Sequence, residues 1–368
     1  MSDLDFLQAS GTKIINRAGD KVMLRGTNAG GWLVHEQWMC PTDTPDHKTI
    51  RDALELRFGA ETRDELIDVY RDAYWTEQDF DACAAMGMTA LRLPFIYWDI
   101  ADENADITGF GRLDWFVEQA AKRGMYTILD LHGAYGSQSG KHHSGQLNDG
   151  RQLFFDEGNR AKTIKLWENI ARHYKNNPAI AMYNLLNEPE RDVGHTDRVQ
   201  WDFYDELYHA VRAVDPERII TLEACWWPHS LPHPDEYGWE NVVYQYHHYP
   251  WGSENADEVN AHTKIECQLI EKSEHGVPVF IGEFACFNYP EAWEYGLGEY
   301  NRLGCHWTTW CYKVTGDGSN SWGLFNHSPP RVDVHKDSAE EIRRKWALVG
   351  TEHAQETVYK RIIAGFMP

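Results

Sequence analysis

Basic residues are the minority in this chain: 35 Lys and Arg stand against 57 Asp and Glu, a formal charge of −22 over 368 residues. That sign excludes nucleic acid and an anionic membrane surface as partners, because both need clustered cations, and it favours a neutral ligand. Long apolar runs are also missing. No stretch reaches the roughly 18 apolar residues of a bilayer span. The N-terminal MSDLDFLQAS lacks a basic region followed by an apolar run, so the chain as written reads as cytoplasmic, or as secreted if a leader has been removed. Cysteine is sparse, seven in all, and Cys83, Cys225, Cys286, Cys305 and Cys311 sit singly in apolar segments without metal-ligand spacing. They read as small buried hydrophobes in a reducing compartment. No Ser/Gly linker or low-complexity tract divides the sequence, which predicts one domain over 1–368. GTNAGGW, after the first strand-like run, has neither a G-x-G-x-x-G nor a P-loop pattern, and no cofactor or metal is expected.

What is present is a globular composition, 42% hydrophobic and 13% aromatic, with 16 Trp. Eight β-rich runs recur along the chain: 22–28, 89–94, 126–132, 180–187, 219–224, 242–249, 279–284 and 305–310. Between them the apolar period becomes helical, as in Ile164, Trp167, Ile170, Ala171 and Tyr174, or Val199, Phe203, Leu207, Val211 and Val214. Several helices meet a stop at Gly87, Gly124, Pro178, Pro216, Gly276 or Gly304 shortly before the next strand. Near-continuous apolar strands alternating with helices imply a parallel sheet covered by helices. Eight repeats of that unit predict an α/β fold, a (β/α)₈ TIM barrel. The segment 7–24 predicts a β-hairpin, turning at RAGD, that plugs the barrel floor, and long βα loops are expected over 133–160 and 225–240.

In such a barrel the active site lies at the C-terminal ends of the strands. Polar and aromatic residues gather at those ends here: Asn28, Arg92, His132, Asn187 with Glu188, Glu223, His247 with Tyr249, Glu283 and Trp310. In AMYNLLNEPE, Pro189 disfavours the helical region for the residue before it, so Glu188 is expected to be extended at the strand mouth. Glu188 and Glu283 end the fourth and seventh strands and can converge on one bound atom. Paired carboxylates of this kind perform retaining glycoside hydrolysis, one as nucleophile and the other as acid then base. Arg92 and Tyr249 are candidate donors to Glu283, which favours the ionised form, whereas Glu188 must keep a proton for a leaving oxygen.

With these motifs the sequence resembles glycoside hydrolase family 5, a cellulase-type family of retaining (β/α)₈ enzymes, over nearly its whole length. The resemblance implies that Glu188 of NEP is the acid/base and Glu283 of IGEF the nucleophile of a double displacement. It also implies that Arg92 and Tyr249 support the nucleophile and that His132, Asn187 and His247 line the sugar site. Trp310 matches the platform under the reacting sugar, with a cis peptide expected after it. The block GGWLVHEQW, with Glu36, and the loop LHGAYGSQSGKHHSG are similar to the exo-β-1,3-glucanase branch. That likeness implies a glucan 1,3-β-glucosidase-like activity on a β-glucan or β-glucoside. The loop departs from the branch: Tyr135 replaces a proline, and His142 with His143 replaces an Asp-Asn-like pair. Further expected substrate contacts are Glu36, Trp32, His142, His143, Trp226, Trp227 and Trp322.

Alternatives within the family are an endo-β-1,4-glucanase, a β-mannosidase or another β-glycosidase. A metal-dependent barrel hydrolase would need His and carboxylates converging from several strands, often with an H-x-H pair on the first, which offers only Asn28. A non-catalytic sugar-binding barrel would share Trp32, Trp226, Trp227, Trp251 and Trp322 but need not keep Glu188, Glu283 and their supporting residues together. The expected partner is an oligosaccharide or polysaccharide, bound by a monomer. Glu223 is open to substrate binding or to structural pairing.

Overall fold

The computed structural model describes residues 4–147, 152–190, 198–224, 230–315 and 322–368. Eight parallel strands form a closed barrel: β1 (Arg25–Asn28), β2 (Ala90–Ile96), β3 (Tyr126–Gly133), β4 (Ile180–Asn184), β5 (Ile219–Glu223), β6 (Val242–His248), β7 (Val279–Phe284) and β8 (His306–Thr309). Each strand pairs with its sequence neighbours, and β8 closes the ring by pairing with both β7 and β1. All eight coincide with the β-rich runs of the sequence. They are covered on both sides, so nearly every strand residue is buried, and burial on two faces is what makes their sequences continuously apolar.

Helices wrap the outside, among them Gly111–Lys122, Glu157–Tyr174, Arg198–Val214, Ala256–Lys272 and Pro290–Leu303. Gly304 closes the last of these at φ 72°, a left-handed conformation that costs a residue without Cβ little.

The barrel interior is divided along its axis. Its floor is apolar: Leu24, Ala90, Ile128, Met182, Ile219, Val243 and Phe280 form one cluster with Leu7 and Ile14. Leu7 and Ile14 come from the N-terminal hairpin, Leu7–Ser10 paired antiparallel with Lys13–Asn16, which plugs the floor. The hairpin turns at Gly11–Thr12 rather than at RAGD. RAGD instead makes the next turn, where the Asp20 carbonyl accepts from the Asn16 amide at 3.0 Å. Gly11 has a φ of 54°, and this freedom fits the tighter connection.

The upper layer is polar. Two strand pairings slip near it, between Phe95 and Ile96 and between Tyr246 and His247. The second slip sets His247 opposite Glu283, so an irregularity in the ladder brings two polar side chains together.

Candidate active site

Arg92 is the hub of the polar layer, and its side chain is fully buried. Its guanidinium donates to Asn28 Oδ1 on β1 at 2.9 Å, to Asn184 Oδ1 on β4 at 3.0 and 2.9 Å, and to Asn187 Oδ1 at 2.6 Å. It also reaches Asp130 Oδ2 on β3 at 3.0 Å and Glu283 Oε1 on β7 at 2.7 Å. A planar fork with five N–H donors suits this many acceptors, which an ammonium could not serve. Tyr249 donates its hydroxyl to the second oxygen of Glu283 at 2.9 Å, and burial beside that carboxylate drives the phenol far above its usual value. Both oxygens of Glu283 therefore accept hydrogen bonds, which fixes the orientation of its carboxyl group.

Glu188 departs from the expectation of an extended residue. Its φ is 41°, in the left-handed region that non-glycine residues seldom occupy, and the regular strand stops earlier, at Asn184. The backbone on either side is pinned. Gln138 Nε2 donates to the Asn187 carbonyl at 2.8 Å, the Glu190 amide donates to the Gln138 carbonyl at 3.1 Å, and the Asn187 amide donates to the Leu131 carbonyl at 3.0 Å. These tertiary bonds overrule the local preference set by Pro189, and strained backbone held in this way is typical of functional positions.

Two histidines grip the Glu188 carboxyl. His247 Nδ1 lies 2.8 Å from Oε1, and His143 Nδ1 lies 2.7 Å from Oε2. Burial alone would raise the Glu188 pKa, but His143 and then His247 outweigh it and hold the carboxyl well below the usual range. His247 Nδ1 is also 3.5 Å from Glu283 Oε2 and 3.3 Å from Glu223 Oε1. Although burial disfavours its charge, these carboxylates raise His247 to about 9. Glu223 is fully buried and pushed up to about 8, chiefly by that burial. It accepts from Gln245 Nε2 at 2.8 Å and touches His247, so it pairs beneath the site.

His132 shows the same economy. Asn187 Nδ2 donates to its Nε2 at 3.3 Å, which leaves Nδ1 to donate to Asp130 at 2.6 Å. Its ring lies parallel to Trp310, with centroids 5.4 Å apart, and the Trp310–Cys311 peptide is cis. Glu36 accepts from Trp38 Nε1 at 3.2 Å and pairs with His142 Nε2 at 3.1 Å. Burial pushes this carboxyl up, but His142, His143 and His132 bring it below its usual value.

These side chains line a cavity of about 470 Å³ at the strand C-termini, walled by Glu36, Trp38, His132, Lys141, His142, His143, Glu188, Tyr249, Trp251, Glu283, Trp310 and Trp322. That size suits a small ligand. A hollow of about 720 Å³ lies elsewhere, along Arg198, Trp201, His233, Leu269 and His275, without the convergent strand-end carboxylates.

Trp32 is not part of the wall. Its ring packs on Trp115 and Phe116 at 5.8 and 5.5 Å, and its Nε1 donates to the Arg71 carbonyl at 2.9 Å, which makes it a core residue behind the loop. Trp226 and Trp227 lie outside the described residues. Trp38 and Lys141 were not singled out by sequence reasoning. Trp38 was findable two residues past Glu36, whereas Lys141 carries no signal beyond its loop.

A single triad of potential metal donors stands out among the described residues: Glu188, Glu223 and His247. In this structure His247 Nδ1 lies between the two carboxylates, hydrogen-bonded to Glu188 Oε1 at 2.8 Å and 3.3 Å from Glu223 Oε1.

Comparison with known proteins agrees with this geometry. The family described as cellulase (glycosyl hydrolase family 5) matches residues 54–316. A β-xylosidase of Phanerodontia chrysosporium is 30% identical over 84% of this chain and 71% of its own length. A probable glucan 1,3-β-glucosidase A of Emericella nidulans is 30% identical over 71% of this chain and 66% of its own length. The solved rutinosidase from Aspergillus niger superposes with a TM-score of 0.66 at 17% identity, over 88% of this chain and 98% of that one, and shows the same fold. The chain belongs to glycosyl hydrolase family 5, and it is a retaining glycoside hydrolase.

Proposed function

We propose that this chain hydrolyses β-glucosides or β-glucans by double displacement, with Glu283 as nucleophile, Glu188 as acid/base, and a preference for single glucose units at a β-1,3 linkage. One observation carries the assignment of the pair. His247 Nδ1 sits 2.8 Å from Glu188 Oε1 and 3.5 Å from Glu283 Oε2, so these oxygens cannot lie more than about 6.3 Å apart. Inverting enzymes hold their carboxyl groups roughly 6.5–9.5 Å apart to admit a water, and retaining ones about 5–5.5 Å.

In the first step Glu283 forms a bond to the anomeric carbon as the glycosidic bond breaks and Glu188 protonates the departing oxygen. In the second, water attacks that carbon, Glu188 takes its proton, and Glu283 leaves as a carboxylate. Arg92 and Tyr249 stabilise the charge on Glu283 at the start and at the end. Asn187 stands beside His132, placed to bind a sugar hydroxyl, and Trp310 supplies the platform.

The β-1,3 preference rests on the named glucosidase relative and on the GGWLVHEQW block with Glu36. The β-xylosidase relative favours a second reading, a β-xyloside substrate. The two carboxyl groups and the hydrogen-bond partners described for them come from one chain, which supports action as a monomer. Among the described residues no helix is long and apolar enough to cross a membrane, and the six buried free thiols found there suit a reducing compartment.

The test is sugar release from laminari-, cello-, manno- and xylo-oligosaccharides and from aryl β-glycosides, with Glu283→Ala as blank. Glucose released singly from laminari-oligosaccharides is the expected result. Preference for xylo-oligosaccharides would move the substrate to the second reading and leave the mechanism in place.

A further inference from the structure

We propose that His143 is a positioning residue that shares one proton with Glu188, holding on its imidazole the proton that Glu188 delivers to the leaving oxygen. This inference rests on Glu188 being the acid/base.

The geometry is built for such sharing. His143 Nδ1 faces Glu188 Oε2 at 2.7 Å, and its other nitrogen, Nε2, is braced by Ser139 Oγ at 2.9 Å. The second oxygen of Glu188 is already taken by His247 Nδ1. A carboxyl clasped by two ring nitrogens rests as the anion, and its proton must be kept on a neighbour. The charges around His143 choose that neighbour. Glu188 faces it from the loop after β4, Glu36 from the loop after β1 and Glu283 from the end of β7, and all three favour the imidazolium. On its own loop, His142 lies 5.8 Å away ring to ring and pairs with Glu36, while Lys141 pairs with Glu190. Across Glu188 stand His247 and, beneath it, Glu223. Against the burial that disfavours charge, the acidic neighbours raise the His143 pKa.

The step balances. As the glycosidic oxygen enters, the Nδ1 proton passes to Glu188 Oε2, and imidazolium with carboxylate becomes neutral imidazole with carboxylic acid. Glu188 then protonates the leaving oxygen while Glu283 bonds the anomeric carbon. In the second half, the proton that Glu188 takes from water returns to His143 Nδ1. Where the glucanase-like motif has an Asn-like residue, an amide could donate a hydrogen bond to Glu188 but has no acidic proton to pass to it.

The test follows from that difference. With His143 present, the shared proton is lost only at the raised imidazole pKa, so turnover of phenyl β-glucoside persists above pH 6.5. With His143→Asn, Glu188 keeps only His247, whose Nδ1 proton Glu223 and Glu283 also hold, so the basic limb of kcat/KM moves to lower pH, by about one unit or more. 2,4-Dinitrophenyl β-glucoside, whose leaving group needs no proton, should show no such shift. His143→Gln serves as a second variant of similar size. An unchanged basic limb on phenyl β-glucoside, or a loss uniform across pH and both substrates, would overturn the proposal. Glu188→Gln separates the two layers: it should lose phenyl β-glucoside turnover and keep the glycosylation burst with the dinitrophenyl substrate. Normal phenyl β-glucoside turnover in Glu188→Gln would remove the acid/base assignment itself, and the shared proton with it.

Discussion

Glu223→Gln should stabilise the protein, and more so as pH rises. Glu223 is fully buried, accepts one hydrogen bond from Gln245, and its Oε1 has no hydrogen-bond partner among the described residues. Burial raises its pKa from 4.5 to about 8. Between those values the folded state keeps a proton that the unfolded chain has released, so stability declines with rising pH by about 1.4 kcal/mol per unit. Glutamine has nearly the same shape and cannot ionise, so the variant escapes that decline. The clean window is pH 5 to 6.5, because above 6.5 His247, raised to about 9, begins to release its proton in the unfolded chain alone. Over that window the stability of Glu223→Gln relative to the parent should grow by about 2 kcal/mol. Urea unfolding of both proteins at pH 5, 5.5, 6 and 6.5, followed by tryptophan fluorescence, measures it, and titrations of groups remote from Glu223 cancel in the difference. A difference that stays constant within about 0.5 kcal/mol, or that shrinks, would refute the reasoning that Glu223 rests protonated.

Arg92→Lys should lower stability by about 3 kcal/mol or more, because an ammonium's three donors cannot serve five side-chain hydrogen bonds and each orphaned buried acceptor costs about 1–3 kcal/mol; urea unfolding at constant pH checks this. Glu283→Ala should fold and lose turnover, and added azide should restore partial release of an activated aryl group with a glycosyl azide of inverted configuration, identified by NMR. A retained-configuration azide from that variant would contradict the nucleophile assignment.

The eight strands were legible because both faces of each are covered, so each reads as an apolar run punctuated by helix stops. The strand-end rule then located Arg92, Asn187, Glu188, His247, Tyr249 and Glu283 without knowledge of the loops. Other features depend on contacts far apart in the chain. The φ of Glu188 is set by Gln138, about fifty residues away, against a local proline rule. The slip that aligns His247 with Glu283 is a property of two strands together. Trp32 sits four residues from Glu36, yet the loop turns its ring toward Trp115 and the core. Asp130 and Gln245, which set the His132 tautomer and brace Glu223 respectively, look like ordinary strand residues until the barrel closes.

Arg92 also bears on how this protein can evolve. Its guanidinium ties β1, β3, β4 and β7 together at the point where Glu283, the proposed nucleophile, is held, so one side chain serves both the proposed chemistry and the mechanical integrity of the barrel. On the proposed function, sugar preference is set by loops such as 134–147, which lie outside the eight strands that close the barrel. Descendants of this chain are therefore free to change substrate by exchanging loops. A descendant that abandons catalysis while keeping the fold can lose Glu283 and still hold Arg92 through Asn28, Asn184, Asn187 and Asp130, so drift toward a binding role would leave its first mark at Glu283 and spare Arg92.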